Sequence, residues 1–173
     1  MLSQTTPRIH LRLAVLEDAQ MVFRWRNDPF ILTRGSSQSQ VPWDEHLKWF
    51  NETVQGSVRK MFIILISDEE AIGQVRFDRI SDEEATVSIY LLQAFTGKGY
   101  GVEVIRLACR EIFKLWNIQN VVACVRSDNP YARAAFLKAE FSDNSERRCC
   151  PDAHFELVLS SKASVPDDSP VKN

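Results

Sequence analysis

Three glycines in five positions, Gly97-Lys98-Gly99-Tyr100-Gly101, separate the apolar run SIYLL from the amphipathic segment GVEVIRLACREIF. A glycine turn that opens a helix presents unblocked backbone N–H groups at the positive end of the helix dipole, and that arrangement holds phosphate. Glycine suits it because a side chain would keep phosphate oxygens off the backbone, and because such turns use positive φ angles. The spacing is not G-x-x-x-x-G-K-[ST], and the turn is preceded by strand-like hairpins where a dinucleotide fold would need a parallel βαβ unit. His46 is the histidine best placed to exchange a proton: it lies about 60° off the apolar stripe of its predicted helix and borders the core. The four cysteines, 109, 124, 149 and 150, have neither the spacing nor the export signal of a disulfide framework, and Cys109 and Cys124 are expected to be buried and unreactive. Cys149, Cys150 and His154 lack the C-x-x-C reach of a zinc site, so no metal is expected.

These residues sit in a chain of 173 residues, 45% hydrophobic, which is enough for one domain with a core and too short for two. A net charge of -2 provides no global field for nucleic acid or an anionic membrane, and no window reaches the apolar length of a membrane span. The N-terminal residues lack an apolar stretch after a basic start, which predicts a soluble, cytoplasmic protein. Residues 1–7 read as a flexible leader, 8–159 as the folded domain and 160–173 as a disordered tail. The pattern predicts a strand at IHLRL, then a helix over Glu17–Asn27 that stops at Asp28-Pro29. A polar loop, TRGSSQSQ, leads to a second helix with Trp43, Leu47, Phe50 and Val54 on one stripe. KMFIILIS, AIGQVRFDRI and EATVSIYLL, separated by two SDEE turns, read as an antiparallel meander. A long helix with Val102, Ile105, Cys109, Ile112 and Trp116 on one face follows, then the strand VVACVRS. A helix over Tyr131–Lys138 and strands near Ser145–Cys150 and His154–Leu159 complete the domain.

Meander, glycine turn, helix, strand, Asn-containing turn and helix together resemble the GNAT superfamily of acetyl-CoA-dependent N-acetyltransferases. Gly99 and Gly101 fall at the two glycine-type positions of [QR]-x-x-G-x-[GA] with Thr96 in the leading position, and VRSDNPYARAAFLKAEF is similar to the family segment carrying Asn129, Phe136, Lys138 and Phe141. The resemblance implies an α/β GNAT fold, a mostly antiparallel mixed sheet flanked by helices, with strands 4 and 5 splayed. It implies that acetyl-CoA is held at the pyrophosphate by Thr96, Gly97, Lys98, Gly99, Tyr100 and Gly101. Tyr90, Leu91 and Leu92 would pair with the pantetheine as an added strand. Asn129 would orient the thioester, with Arg133 and Phe136 nearby. Thr96 stands where the family carries Arg or Gln, so Lys98 or Arg133 must supply the missing donor. Phe136 stands where many members carry the tyrosine that protonates the leaving thiolate; Tyr131 or water could do so, or no acid is needed. Glu140 replaces a family glycine.

For the acceptor, W-R-N-D-P and W-D-E-H-L-K-W-F resemble the GNAT subgroup that acetylates amines of nucleotide-linked deoxy-aminosugars, as in pseudaminic acid-type pathways; GQVRFD fits as well. The resemblance implies acceptor contacts from Trp25, Arg26, Asn27, His46, Arg76 and Ser88, a direct transfer in a ternary complex, and catalytic roles for His46, Asn129 and Tyr131. The fourth strand carries Thr86, Ser88 and Tyr90 where many members carry a basic glutamate. A ring amine flanked by oxygen-bearing carbons is weakly basic enough for histidine or water to deprotonate. Acetylation of a protein N-terminal amine and a non-catalytic CoA-binding module stand as alternatives. An unpaired edge strand leaves room for a homodimer.

Overall fold

The computed structural model describes residues 8–35, 37–67, 70–144, 146, 150–151 and 154–162. Its elements run β1 (Ile9–Leu13), α1 (Ala19–Arg26), α2 (Pro29–Leu32), α3 (Trp43–Gln55), β2 (Arg59–Ile66), β3 (Glu70–Arg79), β4 (Glu84–Leu91), α4 (Tyr100–Trp116), β5 (Asn120–Arg126), α5 (Pro130–Lys138), β6 (Ser142–Asp143) and β7 (His154–Ser160). The strands form one sheet in the order β1-β2-β3-β4-β5-β7-β6. Every neighbouring pair is antiparallel except β4 and β5.

The apolar run of β2 shows how the core is divided. Alternate side chains of a strand point to opposite faces. Phe62, Ile64 and Ile66 join the larger core, which the α4 residues Val104, Ile105, Ala108, Cys109 and Ile112 cover. Met61 and Ile63 join a second cluster with Val22 of α1 and Phe50 of α3. A strand covered on both faces reads as a continuous hydrophobic run, which is why KMFIILIS lacks polar alternation.

Two features open the middle of the sheet. The parallel ladder between β4 and β5 covers only Glu84–Val87 against Asn120–Ala123, so the last four residues of β4 run on without β5. On the opposite side β3 carries a bulge: Ile64 faces Gly73 and Leu65 faces Ala71, leaving Ile72 as the extra residue. At Gly73 an added Cβ would lie 2.2 Å from the Tyr90 carbonyl oxygen and 2.9 Å from the Leu91 Cα. The missing side chain thus lets β4 press against β3 over the stretch where it parts from β5.

The structure corrects several sequence expectations. Asp28-Pro29 ends α1 but starts another short helix, with the Asp28 carboxylate capping the Phe30 N–H at 2.9 Å. A short strand forms at Ser142–Asp143, while the strand expected over Ser145–Cys150 falls largely on residues 145 and 147–149, which lie outside the described residues, as do the predicted leader and all but the first residues of the tail. Cys124 and Cys150, expected to be unpaired, form a disulfide with Cα atoms 5.4 Å apart. A sequence separation of 26 hides their proximity. It arises because β5 and β7 pair, with Cys124 opposite Glu156, and Cys150 lies just before β7. Glu156, nearly fully buried, accepts from the Asn144 side-chain amide and from the Cys150 N–H, fastening the same segment. Cys109 is buried as expected, and its apolar surroundings push the thiol pKa up, away from nucleophile range.

Candidate active site

The donor side is built on the glycine turn. Gly97 and Gly99 hold φ angles of 72° and 85°, in the left-handed region that favours glycine. Gly99 caps α4, and no backbone N–H of residues 97–101 is bonded among the described residues. A Cβ built on Gly97, Gly99 or Gly101 meets nothing within 4 Å. Free amides facing open space at the positive end of a seventeen-residue helix fit a diphosphate. Lys98 lies over the Phe95 ring at 5.5 Å, adding a positive charge beside the turn. Thr96 is exposed, and its hydroxyl donates back to the Gln93 carbonyl at 2.9 Å. Tyr100 packs against the large core.

Beyond the turn, Tyr90 and Leu91 lie on the part of β4 that has left β5, and Leu92 follows, its N–H given to the Ile72 carbonyl. The resulting slot exposes strand backbone of the kind an extended chain can pair with. The residues expected beside it divide. Asn129 caps α5, its Oδ1 accepting from the Ala132 N–H at 3.1 Å, which leaves its amide NH₂ uncommitted. Tyr131 is 87% exposed at the start of α5. Arg133 donates to Asp143 at 2.6 Å and lies over the Phe155 ring, so its charge is partly spent inside the protein. Phe136, expected at the cofactor, is a core residue, 5% exposed and edge-on to Phe141.

On the acceptor side a cavity of about 390 Å³ opens between α1, the segment after α2, α3 and the β3–β4 pair. Of the residues expected to contact the acceptor, Arg26, His46, Arg76 and Ser88 line it. Trp25 does not; it packs edge-on against Tyr90 in the wall behind. Asn27 does not either: its side chain both donates to the Val41 carbonyl and accepts from the Val41 N–H, at 3.0 and 2.8 Å, pinning the end of the loop that closes the cavity. Arg126 of β5 holds the start of that loop by donating to the Gly35 carbonyl at 3.2 Å.

His46 is more deeply placed than its helix position implies, at 2% exposure. Its Nε2 bonds the Ala19 carbonyl at 3.0 Å, and Phe23, Trp43, Trp49 and Phe50 surround the ring. Burial first, and then the charge of Arg26, hold its pKa below the usual imidazole value, while the carbonyl bond works against them. The ring therefore stays neutral and supports the cavity wall.

Residues the sequence did not single out complete the lining. Glu45 brings the carboxylate that β4 lacks, and Trp49 brings an aromatic surface. Arg76 lies 5.2 Å from the Trp49 ring, its Nε bound to Asp78 at 2.8 Å. Gln74 is 3% exposed on the floor, directly opposite Tyr90 in the β3–β4 register. Burial drives the Tyr90 phenol pKa well above its ordinary range, opposed by Arg26 and Arg76, so the hydroxyl keeps its proton. One signal for Gly73 and its neighbour was present: a lone glycine inside a strand marks a bulge or close approach.

A splayed parallel pair beside a glycine-capped helix, with a polar cavity on the other side of the slot, defines an acyltransferase of the GNAT class. The family model described as an acetyltransferase (GNAT) domain matches residues 8–142, and the chain belongs to this family. It is an acetyl-CoA-dependent N-acetyltransferase. It is 24% identical over 149 residues to acetyltransferase PseH of Campylobacter jejuni subsp. jejuni, covering 83% of this chain and 92% of the relative. Two solved structures share the fold at 17% identity. Spermidine N-acetyltransferase from Vibrio cholerae, in complex with CoA and spermine, superposes with a TM-score of 0.79 over 90% of this chain and 97% of that one. Aminoglycoside acetyltransferase AAC(6')-Ib, with ribostamycin and CoA, gives 0.80 over 94% and 98%. Among the described residues no helix is long and apolar enough to cross a membrane, and no cluster of metal-ligating side chains occurs.

Proposed function

We propose that the acceptor is an amine on a nucleotide-linked aminosugar and that transfer is direct, within a ternary complex. The observation that carries this reading is the charge of the acceptor cavity: two guanidinium groups, Arg26 and Arg76, face one carboxylate, Glu45. A polycationic acceptor such as a polyamine calls for the reverse balance, whereas a sugar diphosphate brings the anion that arginine recognises. Arg76 keeps its terminal nitrogens free of bonds among the described residues because only Nε serves Asp78. Trp49 offers a flat face for a sugar or base. The similarity to PseH supports the same substrate class.

In this reading Gly97 to Gly101 hold the diphosphate of acetyl-CoA, which supplies the activated acetyl group, and Tyr90 to Leu92 align its extended arm. An ammonium has no lone pair, so the acceptor must lose a proton before it attacks. Glu45 is the carboxylate on the cavity wall able to pair with that ammonium or take the proton through water. His46, neutral and held by Ala19, positions the wall. We place the enzyme in the cytoplasm, with the Cys124–Cys150 bond an exception to the reduced thiols usual in that compartment. Thiol release measured over nucleotide-linked aminosugars, aminoglycosides, spermidine and N-terminal peptides tests the proposal. Turnover of a nucleotide-linked sugar at a kcat/KM above all others is expected, and preference for spermidine or a peptide overturns it. Ping-pong kinetics would overturn direct transfer.

A further inference from the structure

Two polar atoms in the cavity wall have no partner among the described residues. Gln74 Oε1 and the Tyr90 hydroxyl are both shielded from solvent and unbonded, although both side chains line the acceptor cavity. They are neighbours: Gln74 and Tyr90 face each other across β3 and β4, so their side chains leave the sheet on one face. The bulge at Ile72 and the close approach at Gly73 fix that register next to the end of the β4–β5 ladder. Buried polar groups in folded proteins are nearly always bonded, and two unbonded ones on facing residues of a cavity wall call for a ligand.

From this juxtaposition we infer that Gln74 and Tyr90 form a recognition pair for a hydroxyl group of the acceptor, an inference that rests on the aminosugar reading above. The chemistry of the pair selects the group. Gln74 Oε1 only accepts, and the Tyr90 phenol is a donor with its proton in place. A hydroxyl gives its proton to the first and accepts from the second, satisfying both at once. An ammonium has donors alone and leaves the phenol hydrogen unpaired; a methylene satisfies neither. Arg26 and Arg76 act electrostatically on Tyr90, so a third positive charge is disfavoured there and a neutral hydroxyl is not.

Gln74→Met and Tyr90→Phe test the pair while nearly conserving volume. Each removes an unbonded buried group, so each raises Tm by about 2 °C or more in the absence of substrates. In Gln74→Met, which leaves the β4 stretch that aligns the acetyl-CoA arm untouched, the KM for acetyl-CoA stays the same. The probes are a UDP-linked 4-amino-4-deoxy sugar bearing a 3-hydroxyl and its 3-deoxy counterpart. Wild type prefers the hydroxylated sugar by at least about tenfold in kcat/KM, and each variant reduces that ratio to about threefold or less. A fall in Tm in both variants means the two atoms are bonded in the free protein and overturns the inference, as does an unchanged ratio. If wild type acetylates neither sugar, the aminosugar reading fails, and the ratio is then taken between kanamycin, rich in hydroxyls, and spermidine, which has none. A drop in that ratio still supports the pair. Thiol release with spermidine alone, or with none of the four, overturns it.

Discussion

Adding one methyl group at Gly101 separates what the glycine turn does for the fold from what it does for the ligand. Gly101 lies in the first turn of α4, and its φ is not among the positive ones. A Cβ there meets no atom within 4 Å. Alanine can therefore take the native conformation without strain, and restricting the unfolded chain stabilises the protein by about 0.4–1 kcal/mol. For a chain of this size that is a rise of about 1–4 °C in Tm. The same methyl group enters open space within the turn that, in the function proposed above, holds the diphosphate. Displacing the anion from one charge-assisted hydrogen bond forfeits about 1.5–3 kcal/mol, or roughly tenfold to a hundredfold in affinity. The assay has two arms: calorimetry without ligand, and thiol-release rates with acetyl-CoA varied at saturating acceptor. Gly101→Ala is expected to be more stable and to show a KM for acetyl-CoA raised at least about tenfold, with the acceptor KM unchanged. A stabilised variant with an ordinary KM for acetyl-CoA would show that the amides do not hold the diphosphate. Gly99→Glu goes further, placing a carboxylate in the anion site, and removes thermal stabilisation by acetyl-CoA altogether.

Other perturbations probe the scaffold. Gly73→Ala drives a Cβ to 2.2 Å from the Tyr90 carbonyl oxygen and is expected to cost about 3 kcal/mol or more, read as a lowered midpoint in urea. Asn27→Ala breaks both bonds to Val41 and frees the loop end, so steady-state kinetics should show a raised acceptor KM and an unaltered KM for acetyl-CoA. His46 has a depressed pKa when folded, so its contribution to stability is complete above the unfolded value of 6.5 and is lost as pH falls below it. Tm of wild type should therefore decline between pH 7.5 and 5.5, and His46→Phe should flatten that decline. Closing a loop of 26 residues, the Cys124–Cys150 bond is worth about 3.5 kcal/mol in the chain-entropy description, so Cys150→Ser should lower Tm by about 7 °C or more.

Much of this arrangement is legible in single residues. The meander, the long helix and the glycine turn follow from alternation, a 3.6-residue stripe and three glycines, all local signals. Arg26, Arg76 and Ser88 come together at one cavity because a strand or helix face fixes where each points. What escapes the sequence depends on distant packing. His46 borders its own helix stripe, yet α1 lies over it and contributes the Ala19 carbonyl, and no pattern within WDEHLKWF reports that. Cys150 meets Cys124 only through the pairing of β5 with β7. Asn129 and Phe136 sit at family positions but serve the fold as a cap and a core ring. Glu140 adopts a φ of 74°, the conformation for which glycine would be the easier residue.

The ladder that stops at Val87 leaves the enzyme with a raw margin in the centre of its sheet rather than at its rim. Margins of this kind invite foreign strands, and most proteins blunt theirs with charge or proline. In the function proposed above the remedy is the acetyl donor itself, lodged along the gap, so that the compound that feeds turnover also guards against misassociation. Tolerance of heat and storage should then track the supply of coenzyme, and preparations stripped of it should be the first to aggregate.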